Sequence, residues 1–543
     1  MMKTKRILYF VILLSALISC TDKVDDSNKT INGLTGEVYF EQEGNIKSIG
    51  LIEHYELTIQ QATESNAEDS DLILAFAQEQ MAAAQEYVDE CIKMSGANWS
   101  DEGADGDGNK NRLIGYEYAT IRYKSIDHNG NPIMLSELVV WPYNTILPDP
   151  YADNVIIGCH CTITNDFERP SNYDKISILT DVGMLALRAS SNVLGQPFES
   201  LVIMPDYQGY GASRDKIHPY LSQDLTARQA LDGARAGIAY YKQRHKLEDD
   251  WQTISAGYSQ GGATAMAIQR YVEKNNLSQE FKYAGAVCGD GPYDPYSTLK
   301  NYVKTNQMYM PVAAAFMIYS MCNTSPRLMG KFASEDFLTE KFIDSGIIEM
   351  IEAKNLTTDQ IQEELFKYSA KFNVADTTSL CIYRSDTEGT FHPYRQDTKD
   401  AHNWDTAYGK TSFANTSDIL KEDAYIFFNE GRLPESKDRQ EAMKAIEAAL
   451  KDNVLHSDWT PAHPIFLYHS IHDEVVTIEN YTECLKSWAG SSKVKGTRYN
   501  GNTKYHVNYG KIFYNTHMDR GILDIINGKV DRHEFDRTQN GIY

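Results

Sequence analysis

The serine at position 259 stands in the setting that nucleophilic catalysis requires. It is the centre of Gly257-Tyr258-Ser259-Gln260-Gly261, a Gly-x-Ser-x-Gly motif. A short motif is only a hypothesis until its context supports it. Here the motif follows an apolar run, 251–256, and opens an alanine-rich run, 262–273. A strand, a sharp turn and a helix in this order would expose the hydroxyl at the carboxyl edge of a sheet, with helix N–H groups directed at a developing oxyanion.

A serine hydroxyl is a weak nucleophile, so a base and an orienting acid are expected further along the chain. In this setting the expected order is Ser, Asp, His. Asp473 follows the apolar run 464–468 and is the predicted acid. Glu474, one position out of register, and Asp290, after the preceding predicted strand, remain alternative acids, whereas Asp206 is assigned to a structural turn.

Two histidines compete for the role of the base. His506 lies just past the predicted last strand, 494–499, and a long helix over 507–526 is expected to follow it. His517 would fall in the middle of that helix, away from the loop edge where a base is needed. His506 is therefore the predicted base, with His517 as the alternative.

Three other histidines are expected to have supporting positions. His469 and His472 flank the predicted acid and are expected at the rim of the pocket, and His160 is expected to have a structural role in the oxyanion loop. His160 also lies between Cys159 and Cys161. Two cysteines on one face of a buried strand are expected in the core, because side chains alternate between the faces of a strand. No metal site is predicted.

The elements that must position these residues read as an α/β fold. An alternating hairpin is predicted over 116–142. Continuous apolar runs follow it, which is typical of strands buried on both faces of a parallel sheet. These runs are 155–159, 201–204, 253–256, 284–288 and 464–468. Helical stretches such as 225–245 separate them, so the predicted architecture is a mostly parallel central sheet flanked by helices.

One interval, 296–462, interrupts this rhythm with helical character and no clear core strand. A structureless loop of that length is improbable, so we interpret it as a helical cap inserted between two strands. A further helical region is predicted near 50–96. The predicted division is a signal peptide at 1–20, a tether and N-terminal helical region at 21–110, the core at 111–295, the cap at 296–462 and the second part of the core at 463–543.

Several segments resemble the α/β-hydrolases, and more closely their secretory lipase-like branch. The opening hairpin, the segment Met204-Pro-Asp-Tyr-Gln-Gly-Tyr-Gly-Ala-Ser213, the motif around Ser259 and Gly289-Asp-Gly-Pro-Tyr-Asp294 occur in matching order. The segment ending at Val476 is similar to the family's His-Gly-x-x-Asp-x-x-Val pattern, with Ser470 where glycine is usual. The resemblance covers about residues 115–295 and 463–530 and implies the α/β-hydrolase fold.

The resemblance also implies a mechanism without metal or organic cofactor. His506 would take the proton of Ser259, Asp473 would orient the imidazole, and the oxyanion would be held by the N–H of Gln260 and of a residue near Cys161 or Thr162. The expected substrate is a small-molecule or lipid carboxylic ester. The alternatives are a serine peptidase of the aminopeptidase or prolyl-oligopeptidase type, and a non-catalytic surface binding protein.

The N-terminus predicts export. A basic start precedes the short apolar run 7–18, which suits a signal peptide and is too short for a membrane span. The run ends in Leu17-Ile18-Ser19-Cys20, which resembles the lipobox of bacterial lipoproteins and implies a lipidated Cys20. The polar, acidic stretch 21–26 is the expected tether. The predicted location is the outer membrane, facing the periplasm or the cell surface, with membrane contact only through this anchor.

The net charge of the 543 residues is -23. This balance argues against a nucleic-acid partner, since phosphate binding depends on clustered Lys and Arg. It argues equally against adhesion to anionic lipid through basic side chains.

Overall fold

The chain folds around one large mixed β-sheet with helices packed on both of its faces. The computed structural model describes residues 40–42, 44–64, 70–95, 110–146, 152–175, 177–193, 196–369, 382–385, 391–393, 412–501, 505–528 and 538–539. The predicted signal peptide, Cys20 and the tether lie outside the described residues. No helix among the described residues combines the length and apolar content that a membrane span requires.

Twelve strands form the main sheet, in the order β1-β3-β4-β7-β5-β8-β9-β13-β14-β15, with β2 paired to β3 and β6 to β7. Three further strands, in the order β11-β10-β12, form a small separate sheet. The bounds are β1 Phe40–Gln42, β2 Lys47–Gly50, β3 Ile114–Ile126, β4 Pro132–Asn144, β5 Ala152–Cys159, β6 Ser190–Val193, β7 Gln196–Pro205, β8 Leu247–Tyr258, β9 Tyr283–Gly289, β10 Ile382–Ser385, β11 Phe391–Pro393, β12 Ser412–Ala414, β13 Ile465–Ser470, β14 Val494–Tyr499 and β15 Thr538–Gln539.

The helices alternate with the central strands, as the α/β pattern predicts. A π-helical turn, Phe513–His517, interrupts the last helical stretch between α15 and α16. The bounds are α1 Leu51–Glu64, α2 Ser70–Ser95, α3 Asp181–Ala186, α4 Gln223–Lys242, α5 Gln260–Lys274, α6 Pro295–Thr305, α7 Pro311–Thr324, α8 Glu340–Ile343, α9 Ile347–Ala353, α10 Thr358–Ser369, α11 Thr416–Ile419, α12 Glu422–Glu430, α13 Lys437–Asp452, α14 Glu479–Ser487, α15 His506–Ile512 and α16 Met518–Ile526.

Parallel pairing of the central strands positions the predicted site. β8 pairs with β9, and β9 with β13, all in parallel. The carboxyl ends of parallel strands meet at one edge of a sheet. Ser259 follows β8, Asp290 follows β9 and Asp473 follows β13. Residues far apart in the chain therefore converge at one edge.

Apolar side chains on the two sheet faces form two separate cores. In β5 the side chains of Val155 and Ile157 belong to the core beneath α4, α5 and α14, while Ile156 belongs to the core beneath α1, α2, α3, α15 and α16. All three side chains are fully buried. This double burial explains why the run carries no polar alternation, as expected for an interior parallel strand.

A third core lies among the helices inserted between β9 and β13. Its buried members come from α6 to α13, with Tyr220 and Leu221 contributed by the loop before α4. The small sheet of β10, β11 and β12 also lies in this interval. The sequence predicts helices there but not this sheet, because its strands are only three or four residues long.

Glu137 in β4 is the clearest unfavourable group in the core. Its side chain is fully buried, and neither carboxyl oxygen has a hydrogen-bond partner among the described residues. Gly233 in α4 leaves room for it, since a Cβ atom there would lie 2.2 Å from Oε2. Burial, together with the nearby charge of Asp206, raises the pKa of Glu137 well above its usual value. The folded chain therefore favours the protonated form of Glu137 more strongly than the unfolded chain does.

We expect Glu137→Gln to raise the free energy of unfolding. Because folding forces this acid to take up a proton, its unfavourable contribution grows as pH rises above the ordinary carboxyl pKa. An amide needs no proton, so the gain should be about 1–3 kcal/mol at pH 8 and smaller at pH 5. Chemical unfolding of both proteins at the two pH values measures the difference. An equal gain at both values would show that Glu137 does not change protonation on folding.

Candidate active site

Ser259 occupies a sharp turn between β8 and α5. Its backbone has φ 56° and ψ -125°, a positive φ that non-glycine residues rarely adopt. Its N–H donates a hydrogen bond of 2.9 Å to the Gly289 carbonyl. A Cβ atom at Gly257 or Gly261 would lie 2.4 or 2.0 Å from the Cys159 carbonyl oxygen. The flanking glycines are therefore required for the turn to fit against β5.

The structure brings Ser259, His506 and Asp473 into one hydrogen-bonded line. The Nε2 atom of His506 lies 2.9 Å from Ser259 Oγ, and Nδ1 lies 2.5 Å from Asp473 Oδ2. The other oxygen of Asp473 accepts hydrogen bonds of 2.8 and 2.7 Å from the N–H groups of Val475 and Val476. The carboxylate of Asp473 is thus held by N–H groups of its own loop, and it orients the imidazole of His506.

Burial governs the protonation of the imidazole. It lowers the pKa of His506 below its usual value, and the charges of Asp290 and Glu474 oppose this only in part. Burial and the charge of Asp473 raise the pKa of Glu474 to about 8. The Oε2 atom of Glu474 accepts the backbone N–H of His506 at 3.1 Å. Glu474 therefore contacts the backbone of the base, whereas Asp473 contacts its ring.

The two expected oxyanion donors have different surroundings. Gln260 is the first residue of α5, where a backbone N–H has no intrahelical acceptor. The N–H of Cys161 donates to the Asp181 carboxylate at 2.6 Å, so it can reach an oxyanion only when Asp181 moves away. Thr162, the neighbouring expectation, lines the same cavity as Ser259. Asp181 was not anticipated, because nothing in its sequence setting marks it as a partner of this loop.

His517 has a separate environment. Its Nδ1 atom lies 2.9 Å from the Tyr509 hydroxyl, and its ring stacks on Tyr468 at a centroid distance of 4.9 Å. Burial lowers its pKa to about 4. Its position in the π-helical turn matches the expectation that it lies within the last helical stretch rather than at the loop edge.

The rim position expected for His469 is wrong. His469 is fully buried in β13, and its Nδ1 atom lies 2.9 Å from Asp290 Oδ1. The alternation of a strand explains this, because the preceding residue, Tyr468, points to the opposite core. His472 is exposed and does not line the cavity described below.

The structural roles expected for Asp206 and His160 agree with their contacts. Asp206 is buried and accepts hydrogen bonds of 2.6 Å from the hydroxyls of Ser136 and Ser171. His160 is buried and stacks on Tyr207 at 4.1 Å. Both side chains brace the loops beside the nucleophile.

A cavity of about 360 Å³ opens at Ser259 and His506. Much of its lining is apolar, and this part includes residues in or next to α6 and α7 and in the loop after Asp473: Leu299, Met310, Ala314, Met317, Val475 and Val476. The lining also includes the charged residues Glu168, Asp181, Asp359 and Lys511. The arrangement can hold an apolar group beside the serine hydroxyl.

One group of potential metal-binding side chains comes together in the described part of the chain. Oxygen and nitrogen atoms of Asp290, His469 and Asp473 lie within 4.8 Å of one another, and all three residues are buried. Each already has a protein partner, since Asp290 pairs with His469 and Asp473 contacts His506. We interpret the group as a buried cluster of charged side chains that pair with one another.

Proteins of known structure share the fold of this chain. No protein-family model matches the chain, and no curated protein does so. Solved structures match over most of it. The rice cell wall degrading esterase LipA from Xanthomonas oryzae is 18% identical, with a TM-score of 0.53, covering 77% of this chain and 92% of its own. A protein from Legionella pneumophila that is described as a hydrolase is 17% identical, with a TM-score of 0.53, covering 83% and 96%. The predicted α/β-hydrolase fold is confirmed.

Proposed function

We propose that this chain, an α/β-hydrolase by fold, is a serine hydrolase that cleaves carboxylic esters through an acyl-enzyme. The observation that carries the proposal is the hydrogen-bonded line from Asp473 through His506 to Ser259, which ends in an apolar cavity. The esterase named among the structural neighbours agrees with it. No metal or organic cofactor takes part in the steps below.

The geometry supports the following sequence of proton transfers. As Ser259 Oγ attacks the ester carbonyl, His506 Nε2 accepts its proton across 2.9 Å. Asp473 stabilises the imidazolium that results. When the C–O bond of the ester breaks, the imidazolium gives its proton to the departing alcohol. Water then attacks the acyl-enzyme, with His506 again as base, and releases the acid.

The tetrahedral oxyanion needs preorganised donors. The N–H of Gln260, at the positive end of α5, is the first. The second comes from Cys161 or Thr162, and for Cys161 the carboxylate of Asp181 must withdraw when substrate enters. In the free enzyme, the carboxylate of Asp181 accepts the hydrogen bond of the Cys161 N–H.

The apolar part of the lining is the proposed acyl site. Ala314 and Met317, which are three residues apart on α7, line the cavity together with Leu299 on α6. A group that fills this wall removes apolar surface from water, worth roughly 0.8 kcal/mol per methylene. The preferred substrates are therefore esters with an apolar acyl chain.

A peptidase is the second candidate, and one observation favours it. The carboxylates of Glu168, Asp181 and Asp359 line the cavity and would suit the amine of an aminopeptidase substrate. A non-catalytic binding protein is the third, and the presence of all three triad residue types in contact argues against it.

The test uses the chain from residue 21 onward. Chromogenic esters with acyl chains from two to sixteen carbons are assayed beside an aminoacyl anilide. Cleavage of the esters supports the proposal, and the chain-length profile distinguishes an esterase from a lipase. Cleavage of the anilide alone would support the peptidase. A folded protein that cleaves neither would contradict both.

We expect ester hydrolysis to persist into mildly acidic solution. The base must be neutral, and burial holds the pKa of His506 below 6.5. The acid limb of kcat/KM should therefore have its half-maximal point below pH 6.5 and fall as His506 becomes protonated. A pH-rate profile with a short-chain ester measures this, and a half-maximal point above pH 6.5 would contradict the environment described for His506.

Replacing Ala314 by Trp should shorten the accepted acyl chain. The indole would fill part of the apolar wall, so kcat/KM for long-chain esters should fall about tenfold or more while acetyl esters change little. The ratio of the two rates is the measurement, and the acetyl ester serves as the internal control for folding. An unchanged ratio would place the acyl chain elsewhere.

The proposal includes export and attachment to the outer membrane through lipid on Cys20, which rests on the lipobox-like segment alone. Cys20→Ala should move the protein from the membrane fraction to the soluble fraction of a bacterial host. Fractionation followed by immunoblotting measures this, and an unchanged distribution would contradict the anchor.

A further inference from the structure

Asp290 contacts the segments that carry the candidate triad. It is fully buried at the end of β9. Its Oδ1 atom accepts the N–H of Ser470 at 2.9 Å, where the loop to Asp473 begins. Its Oδ2 atom lies 2.6 Å from the hydroxyl of Tyr258, the residue before the nucleophile. These are contacts with the acid loop and with the nucleophile turn.

Tyr258 extends this network to the base. Its hydroxyl lies 2.7 Å from the backbone carbonyl oxygen of His506, as well as 2.6 Å from Asp290. Asp290 therefore reaches the nucleophile segment and the acid loop directly, and the base segment through one hydroxyl. The order of the predicted triad residues along the chain gives no sign of this arrangement. Its contacts join four elements that are separate in the sequence, β8, β9, β13 and α15.

Two carboxylates in one dry site repel each other, so the cluster needs a positive charge. His469 supplies it. Its Nδ1 atom lies 2.9 Å from Asp290, and both side chains are fully buried. Burial alone would lower the pKa of His469, but the charge of Asp290 raises it above its usual value. Burial and the Asp290 charge raise the pKa of Asp473 well above its usual value. Burial alone would also raise the pKa of Asp290, but the charge of His469 lowers it below its usual value.

We propose that Asp290 and His469 form a buried ion pair that positions the triad segments and presents little net charge of its own to His506. The pair touches neither the cavity nor Ser259, so both are positioning residues. The inference rests on the proposed function, but the protonation of His506 can be read without turnover.

Other titratable groups lie near this cluster, and their charges also act on its members. Glu474 and Tyr258 lie against His506, and Tyr481 lies against His469. The charge of Asp290 also acts on Tyr293, Tyr509 and His517. Burial makes the tyrosines harder to ionise, with the pKa values of Tyr258, Tyr293 and Tyr509 raised well above 10.0. Glu474, with a pKa of about 8, is the group beside His506 that titrates closest to neutral pH among those with a stated value.

The experiment compares three variants of the chain from residue 21 onward: Asp290→Asn, His469→Gln and the double variant. His469→Gln leaves a second negative charge near His506 and should move the acid limb of kcat/KM upward by about 0.5–1 pH unit. Asp290→Asn removes the charge that keeps the buried His469 protonated, so neither charge remains and the limb should lie within roughly 0.2 unit of the wild type. The double variant also has neither charge, and its limb should lie in the same range. KM should stay within about twofold, because neither side chain lines the cavity.

A purely structural role predicts a different result. Activity and melting temperature would then fall while the acid limbs of all variants coincide, and that outcome overturns the inference. If a single variant does not fold, Asp290→Glu, which keeps the charge, should retain the wild-type limb. Titration of the His506 ring protons by NMR in each folded variant gives the same comparison without substrate. If the wild type hydrolyses no ester, an upward shift of this titration in His469→Gln alone still supports the pair, and coincident titrations reject it.

Discussion

The variant Ser259→Ala should lose ester hydrolysis by about 10⁴–10⁶-fold in kcat, with KM changed little. The loss is large because the hydroxyl is the atom that forms the acyl bond, and the residual rate comes only from substrate binding and the oxyanion donors. The substitution removes only one oxygen atom. The hydrogen bond from the Ser259 N–H to the Gly289 carbonyl and the geometry of the turn do not depend on that atom. The fold should therefore be retained, which circular dichroism and the melting temperature check.

A matched control uses the same chemical change away from the cavity. Ser345 lies in the turn between α8 and α9, and its hydroxyl donates to the carbonyl of Phe342. Ser345→Ala should keep wild-type turnover. An active-site-directed phosphonate should add the mass of one phosphonyl group per chain to the wild type and to Ser345→Ala. It should add none to Ser259→Ala. Turnover that survives in Ser259→Ala would reject Ser259 as the nucleophile.

The second large effect is expected at the base. His506→Gln should lower kcat by a similar factor, about 10⁴–10⁶-fold, because it removes the imidazole that lies within hydrogen-bonding distance of the Ser259 hydroxyl and is the proposed base. The effect should not add to that of Ser259→Ala, since residues that act as one unit lose their activity together. The double variant should therefore be about as slow as either single variant. Single-turnover kinetics with a chromogenic ester measure all three.

His517→Gln provides the matched control for this prediction. His517 is also buried and also hydrogen-bonded, but to the Tyr509 hydroxyl rather than to Ser259. Its replacement should cost some stability through lost packing on Tyr468 and leave kcat within roughly threefold of the wild type. The opposite pattern, with His517→Gln inactive and His506→Gln active, would make His517 the base.

The local sequence was sufficient for the fold class. Apolar runs without alternation predict interior parallel strands, and the side chains of Val155, Ile156 and Ile157 are indeed buried on both faces of β5. The nucleophile turn is a local structure whose glycines are required by close backbone contacts. Such features depend on neighbours in the chain, so they can be recognised without knowing the tertiary structure.

The surroundings of these residues could not be predicted in the same way. His469 was expected at the pocket rim and is instead buried against Asp290, which lies on a different strand. The Cys161 N–H was expected to be free for an oxyanion and instead donates to Asp181. Glu137 reads as an ordinary polar position of a hairpin and is buried without a partner among the described residues. Each of these depends on which elements pack together.

The sequence by itself therefore determined the α/β class, the nucleophile turn and the chain order of Ser259, Asp473 and His506, because periodicity and short-range sterics are properties of local sequence. Only the tertiary structure decided that their side chains meet within hydrogen-bonding distance, and that Asp290 and His469 lie buried beside them. The physical reason is that burial and charge proximity, which set pKa values and hydrogen-bond partners, arise where β8, β9, β13 and α15 converge. These segments are separated by long stretches of chain, and sequence spacing carries no record of their final distance.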